Sequence, residues 1–316
     1  MRYLWMAVLA LTALAGANAA EVSSLKITVL STMLADGDEL GEWGFAALVE
    51  ADGHRILFDT GNHQELVLTN ARTLGIDLTT IPDVVLSHHH SDHTGGLLTL
   101  RRAVMGPAPR ALARAYVAQG IFAPRSSFSR GIQINPMVLN RPEYERTGGV
   151  FIVIDHPLEL YPGIWLTGPV PRKYPERNWS GSEQIRTAGG WKEDNLPEDQ
   201  ALVFNTRRGL VVLFGCGHAG VINTLDYARS WLGPRRIHAI VGGIHLFDAS
   251  DATMRWTEQK LAGFGVDNLL GAHCTGVECV YQMRAALGLD RSHAVVAAVG
   301  SSFDLEDGID PRNIAR

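Results

Sequence analysis

Four side chains within six positions, His88, His90, Asp92 and His93, make the pattern H-x-H-x-D-H in the segment Leu86-Ser87-His88-His89-His90-Ser91-Asp92-His93-Thr94-Gly95-Gly96. Neutral imidazole nitrogens and carboxylate oxygens are the donors that zinc and similar first-row divalent ions take. The run follows a short apolar stretch, Ile81 to Ser87, which reads as a buried strand. An ordinary loop at a strand end gains nothing from burying four polar groups. The segment is therefore expected to wrap a metal ion, and the chemistry that follows is hydrolysis by metal-activated water without a protein nucleophile.

The surrounding pattern supplies the scaffold. Leu25 to Leu30, Gly44 to Val49 and Arg55 to Phe58 are strand-like, and Ala51-Asp52-Gly53 predicts a hairpin, since Asp-Gly favours the tight turn between antiparallel strands. Gln64 to Leu74 has helical spacing. Further on, strands at Gln200 to Asn205, Gly209 to Phe214, His238 to Val241 and Asn268 to Ala272 alternate with helices at Val221 to Leu232, Asp251 to Phe264 and Val277 to Leu287. Such alternation implies a layered α/β (α+β) architecture. Histidines fall just after several of these strands, where open α/β sheets place their ligands. No linker or repeat divides residues 21–316, which read as one domain with an elaborated region at about 102–200. Its Arg172, Lys173, Arg177, Trp179 and His156 could contact substrate, or the region is a solvated loop.

Composition narrows the class. With 46% apolar and 19% charged residues the 316-residue chain has ample material for a core. A net charge of −5 without blocks of like sign disfavours nucleic acid as a partner and leaves a small-molecule substrate. Arg2, the apolar run Leu4 to Ala15 and the small residues Ala17-Asn18-Ala19-Ala20 have the layout of a signal peptide. The apolar run is shorter than the roughly 20 residues that cross a bilayer, so residues 1–20 are expected to be removed, leaving no stable membrane anchor and a periplasmic or secreted protein. Cys216, Cys274 and Cys279 are too few for a disulfide framework; one disulfide with a free thiol, or three buried small apolar residues, fit equally. No G-x-S-x-G nucleophile context and no dinucleotide fingerprint is present, against a serine hydrolase or a Rossmann oxidoreductase.

The histidine run after a buried strand resembles that of the metallo-β-lactamase superfamily, and the resemblance implies a four-layered αββα sandwich. It further implies that His88 and His90 hold one metal while Asp92 and His93 belong to a second. Phe214-Gly215-Cys216-Gly217-His218-Ala219-Gly220 would add His218 to the first, and Gly271-Ala272-His273-Cys274-Thr275-Gly276 would add His273 to the second. Asp92 would also orient the attacking water or accept its proton. Asp59, in Leu57-Phe58-Asp59-Thr60-Gly61, would hydrogen-bond the loop or a ligand histidine, or be a simple turn residue. Most two-metal members carry a bridging acid in a Gly-Asp-x-Leu setting; here Gly242-Gly243-Ile244-His245-Leu246 puts Ile244 in its place. The second metal is then expected to bind more weakly, or a water or hydroxide to be the only bridge. His245 is a substitute ligand, a substrate contact or a core histidine.

Several segments together resemble a narrower branch, the dihydropterin ribofuranosyl-aminobenzene phosphate synthase-like metallohydrolases. They are Glu42-Trp43-Gly44-Phe45, Leu166-Thr167-Gly168-Pro169-Val170-Pro171-Arg172, Glu198-Asp199-Gln200-Ala201 and the histidine motifs above. The match runs from about Leu25 to Gly300 and is weakest between Arg101 and Tyr161. The expected cofactor is one or two divalent ions, zinc first, with manganese or iron as alternatives. Three activities fit: hydrolysis of an ester, lactone, phosphoester or similar bond in a small molecule; redox chemistry at a di-iron centre; and non-catalytic metal binding in the envelope.

Overall fold

A computed structural model describes residues 19–127 and 133–315; the expected leader, but for its last two residues, lies outside them. Strand β1 (Leu25–Ser31) pairs antiparallel with β2 (Ala46–Ala51), which turns into β3 (His54–Phe58) with Ala51 opposite His54. Asp52 and Gly53 between them have φ of 45° and 82°, the left-handed pair that a two-residue hairpin needs to match strand twist. The chain continues through α1 (Leu66–Thr73), β4 (Asp83–Leu86), the single turn α2 (Ser91–Thr94), α3 (Leu97–Met105), β5 (Arg114–Ala118), β6 (Arg125–Ser127), α4 (Pro136–Arg146) and β7 (Val150–Ile154). Next come β8 (Leu158–Tyr161), β9 (Ile164–Leu166), β10 (Glu183–Thr187), β11 (Gly190–Glu193), β12 (Leu202–Thr206), β13 (Gly209–Phe214), α5 (Val221–Leu232), β14 (Ile237–Gly242), α6 (Asp251–Ala262) and β15 (Asn268–Gly271). The last elements are α7 (Val277–Ala286), β16 (Ala294–Val296), β17 (Ser302–Asp304) and β18 (Gly308–Asp310).

Two large sheets face each other. One has the order β18-β17-β1-β2-β3-β4-β5-β7 and the other β16-β15-β14-β13-β12-β9-β8. Pairing is parallel from β3 to β7 in the first and from β13 to β16 in the second. Strands covered on both faces read as nearly continuous apolar runs, and β13 shows why: Val211 and Leu213 enter the core between the sheets, while Leu210, Val212 and Phe214 pack under the outer helices. Ile27 and Val29 of β1 likewise face the other sheet, and Leu30 faces the helices over its own sheet. The result is the αββα sandwich. Phe204, fully buried between the sheets, is a point of leverage, since its truncation to Ala costs about 3–5 kcal/mol. None of the helices among the described residues is long and apolar enough to cross a membrane.

The region expected as an elaboration, about 102–200, divides. Its β5 and β7 are strands of the first sheet and β8 and β9 of the second, so part of it is scaffold. Only β6, β10 and β11 form a separate small sheet, in the order β11-β10-β6. Val150-Phe151-Ile152-Val153-Ile154 was apolar enough to read as a strand, but β5 opens on Arg114 within a stretch rich in Pro and Arg that hid its character.

Candidate metal centre

The parallel strands of both sheets end at one rim, and the expected site residues lie just past strand ends there or, for Asp92 and His93, on the turn of helix that follows β4. Asp59 follows β3 and His88 follows β4, with Ser87 between them acting as a clamp. The Ser87 backbone N–H donates to Asp59 Oδ1 and its hydroxyl to Oδ2, both at 2.7 Å. His88 Nδ1, 2.9 Å from Ser87 Oγ, can only donate to a hydroxyl already donating to Asp59, which leaves Nε2 with its lone pair. His90 precedes α2, which carries Asp92 and His93. The Asp92 carbonyl accepts from Phe45 N–H at 3.0 Å and the His93 carbonyl from Thr60 N–H at 2.7 Å, fixing the turn to the first sheet. From the facing sheet, Gly215 after β13 lets the chains approach: a Cβ there would fall 2.1 Å from Ser87 Oγ.

The rings gather closely. His88 lies 4.6 Å from His90 and 4.7 Å from His218 between centroids, and His90 lies 5.0 Å from His218. Asp92 Oδ2 is 3.2 Å from His273 Nε2 and 3.9 Å from His93 Nε2, while the His93 and His273 rings are 5.1 Å apart. The two groups touch through His88 and His93, at 4.3 Å. The structure thus brings all six expected ligands together. Asp59 takes the position expected of it, 2.7 Å from His93 Nδ1. The His218 Nδ1 donates to the Asn178 carbonyl. His245 stands at the edge, its ring 4.5 Å from that of His218. Asp59, His245 and His273 hold φ of 56°, 45° and 47°, left-handed conformations that cost non-glycine residues energy and gather at functional sites.

The electrostatics suit a cation. Burial, reinforced by neighbouring histidines, holds His88 and His218 well below the usual imidazole range, so both are neutral donors. His93 behaves otherwise: burial opposes its charge, but the Asp92 and Asp59 carboxylates prevail and lift it to about 9. Burial works against the Asp92 carboxylate too, yet His93, His273 and His90 keep it far below the usual carboxyl range. Among the described residues, Nε2 of His88 and of His218 and Nδ1 of His245 and of His273 are buried without a hydrogen-bond partner, and His273 Nε2 meets the Asp92 carboxylate at 3.2 Å. Buried polar atoms left unpaired are costly, and nitrogens aimed into one space lined by a carboxylate fit a divalent metal.

Several residues at the site were given no role in it by the sequence. His89, inside the run, turns away: its Nδ1 is 2.8 Å from Glu198 Oε1, and Glu198 pairs with the fully buried Arg125, which also binds Asp194. Glu183 of β10 brings Oε2 to 3.8 Å from Nε2 of both His89 and His90. The exposed Trp43 and Phe247 pack edge to face at 5.2 Å, and Trp43 lies 4.9 Å from His273. All three cysteines are free thiols, with Cys216 and Cys274 only 3.1 Å apart between sulfurs. The expected substrate contacts of the middle region are otherwise engaged: Arg172 donates to the Asn195 and Leu196 carbonyls, Lys173 pairs with Asp226, Arg177 and the Trp179 indole both bind Glu193, and His156 is exposed beside Asp155. A cleft of about 210 Å³ opens over His89, His90, Ser91, Asp92 and Glu183. Hollows of about 550 Å³ elsewhere contain none of the converging ligands.

Residues 44–221 match the model of the metallo-beta-lactamase superfamily, and the chain belongs to that family. It is an enzyme of this fold, of the metal-dependent hydrolase class. The chain is 27% identical over 292 residues to the 7,8-dihydropterin-6-methyl-4-(beta-D-ribofuranosyl)-aminobenzene-5'-phosphate synthase of Methanocaldococcus jannaschii, covering 88% of this chain and 97% of that one. A solved metal-dependent hydrolase of the beta-lactamase superfamily superimposes with a TM-score of 0.72 at 28% identity, covering 90% of this chain and all of that one. The metallo-beta-lactamase fold protein YhfI from Bacillus subtilis, at 14% identity and a TM-score of 0.57 over 89% of this chain and 99% of its own, shares the fold.

Proposed function

We propose that the chain hydrolyses an ester, lactone, phosphoester or similar bond in a small molecule, with His88, His90 and His218 holding one divalent ion and Asp92, His93 and His273 a second. Zinc suits this mixed nitrogen and carboxylate donor set; manganese and iron are the alternatives the metal analysis below distinguishes. Such an ion supplies Lewis acidity that makes hydroxide available near pH 7 and polarises the bond under attack. Asp92 accepts or steers the proton of the attacking water, being, among the described residues, the carboxylate within reach of both His93 and His273. Asp59 holds the His93 ring in register through Nδ1. Trp43 and Phe247 form an exposed aromatic pair beside His273, and Glu183 gives the cleft over His90 and Asp92 a negative charge.

The observation that carries this reading is the set of buried, unpartnered imidazole nitrogens directed at one another. Metal analysis of the purified protein, run beside a panel of esters, lactones, phosphoesters and β-lactams, tests it. The relative from Methanocaldococcus jannaschii bears a 5'-phosphate in its name, which puts phosphorylated small molecules on the panel. Bound metal with turnover of a panel member is expected. Bound metal without turnover on any of them would favour a metal-binding protein, and bound iron with a redox signal the di-iron reading.

Export belongs to the same proposal and rests on the layout of residues 1–20. Intact-mass analysis of protein from the native host is expected to give a chain starting near Ala20 or Glu21. A mature chain that begins at Met1 would contradict it.

A further inference from the structure

The place where a two-metal site of this family would carry a bridging acid is occupied by Ile244, and neither Ile244 nor Gly243 can put a donor there. The Ile244 side chain is fully buried in the apolar layer beneath the outer helices, among Phe214, Ile240 and Leu246. At Gly243 a side chain is barred: a Cβ would lie 2.2 Å from the Gly215 carbonyl oxygen and 2.9 Å from Cys274 Sγ. The ring of His245 has turned against His218.

Sulfur takes up that space. Cys216 lies two residues past the end of β13, is buried, and sits 3.1 Å from His93 Nε2 through Sγ. Its Sγ groups within 4.8 Å of ring nitrogens of His88 and His218 on one side, and within the same distance of His93 and His273 on the other. Among the described residues, Asp92 also reaches both sets, grouping with His88 and His90 and lying 3.2 Å from His273, but only Cys216 forms a triad with two histidines of each. Ligand atoms sharing one zinc ion lie roughly 3.3–3.8 Å apart, given bond lengths near 2.3 Å to sulfur and 2.0–2.1 Å to nitrogen. Cys216 therefore sits within a small adjustment of two ions at once.

We propose that Cys216 is the bridging ligand of the metal centre, its sulfur lying between the His88/His218 and His93/His273 sets in the place a carboxylate would otherwise take. This rests on the metal-centre reading above. The thiol gives its proton to solvent as metal binds, so the bridge forms as a thiolate with no redox change. One negative charge is thereby restored between two cations, and each set of three expected ligands gains a fourth donor. Cys274 lies behind the bridge, 3.1 Å from Cys216 Sγ. In that position it donates a hydrogen bond to the sulfur and belongs to neither histidine triad.

Cobalt(II) loading of the full mature chain tests the assignment, because thiolate coordination gives an intense sulfur-to-cobalt charge-transfer band in the near ultraviolet that nitrogen and oxygen ligands lack. The wild type is expected to show the band and Cys216→Ser to lose it, with affinity for the second cobalt equivalent falling at least about 10-fold. Cys274→Ser and the remote Cys279→Ser are expected to keep it. A wild type that binds cobalt without the band overturns the bridge while leaving the metal centre intact. A band that survives Cys216→Ser and vanishes in Cys274→Ser assigns the sulfur to the wrong cysteine here. Failure of the wild type to bind metal at all brings down the metal-centre reading and the bridge together. X-ray absorption at the zinc edge of the wild type needs no variant: a sulfur neighbour at about 2.3 Å is expected, and a shell of nitrogen and oxygen alone contradicts the proposal.

Discussion

Asp59 Oδ2 lies 2.7 Å from Nδ1 of His93, and the two residues come from the ends of different parts of the first sheet. The same carboxylate receives the Ser87 N–H and hydroxyl, and Ser87 in turn fixes His88. One buried acid thus sets the orientation of a histidine in each half of the centre. Asp59→Asn keeps the shape but replaces one acceptor by a donor facing either His93 or Ser87. Affinity for metal is expected to fall about 10–100-fold, measured by competition with a coloured chelator, with the melting temperature changed far less than by loss of a core residue. Unaltered affinity would mean that Asp59 is only a turn residue.

His245 stands beside the first histidine set and partly faces solvent, its ring against His218 and 5.3 Å from Phe247. A ring nitrogen also groups within 4.8 Å of the Cys216 and Cys274 sulfurs, yet it joins neither of the two ligand sets, which leaves a substrate contact as its role. His245→Ala is therefore expected to raise KM several-fold at full metal content. A fall in bound metal with unchanged KM would show instead that the ring is a ligand.

The fully buried Arg125 holds Asp194 and Glu198, and Glu198 holds His89. Through these contacts the small sheet is joined to the histidine run. Removing one partner of a buried ion pair strands the others, at a cost of about 3–5 kcal/mol. Arg125→Ala is expected to lose that much in chemical denaturation, and a loss under 1 kcal/mol would show that water reaches the pair.

Much of this was legible because it is local in sequence. The pattern His88, His90, Asp92, His93 needs only a strand end and one turn to converge, and Asp52-Gly53 needs only its own backbone preference. The alternation from Gln200 to Leu287 is written in apolar runs that both faces of a covered sheet require. What escaped notice depends on distant neighbours. Cys216 read equally as half of a disulfide or a small apolar filler, since its meaning comes from His93, 123 positions away. Glu183 looks like any loop acid, and Glu198, though part of a motif, shows no partner until β10 and the run before β12 are folded against His89. Conversely Arg172, Arg177 and Trp179 had the chemistry of substrate contacts, but backbone carbonyls and Glu193 had already claimed them.

The central claim is that the converging histidines and Asp92 hold the metal on which hydrolysis depends. Its most direct test is metal content per chain, measured together with turnover of the best panel substrate, for wild type, His90→Ala and Asp92→Ala. Removing His90 takes a ligand from the first ion. Removing Asp92 takes one from the second and also deprives the attacking water of its proton acceptor, which by itself costs about 10²–10⁴-fold in rate. Both variants are expected to stay folded on the apolar core between the sheets, to carry less metal than the wild type, and to lose at least about 10²-fold in kcat/KM. Wild-type metal content and turnover in both would contradict the site assignment and the hydrolytic mechanism built on it.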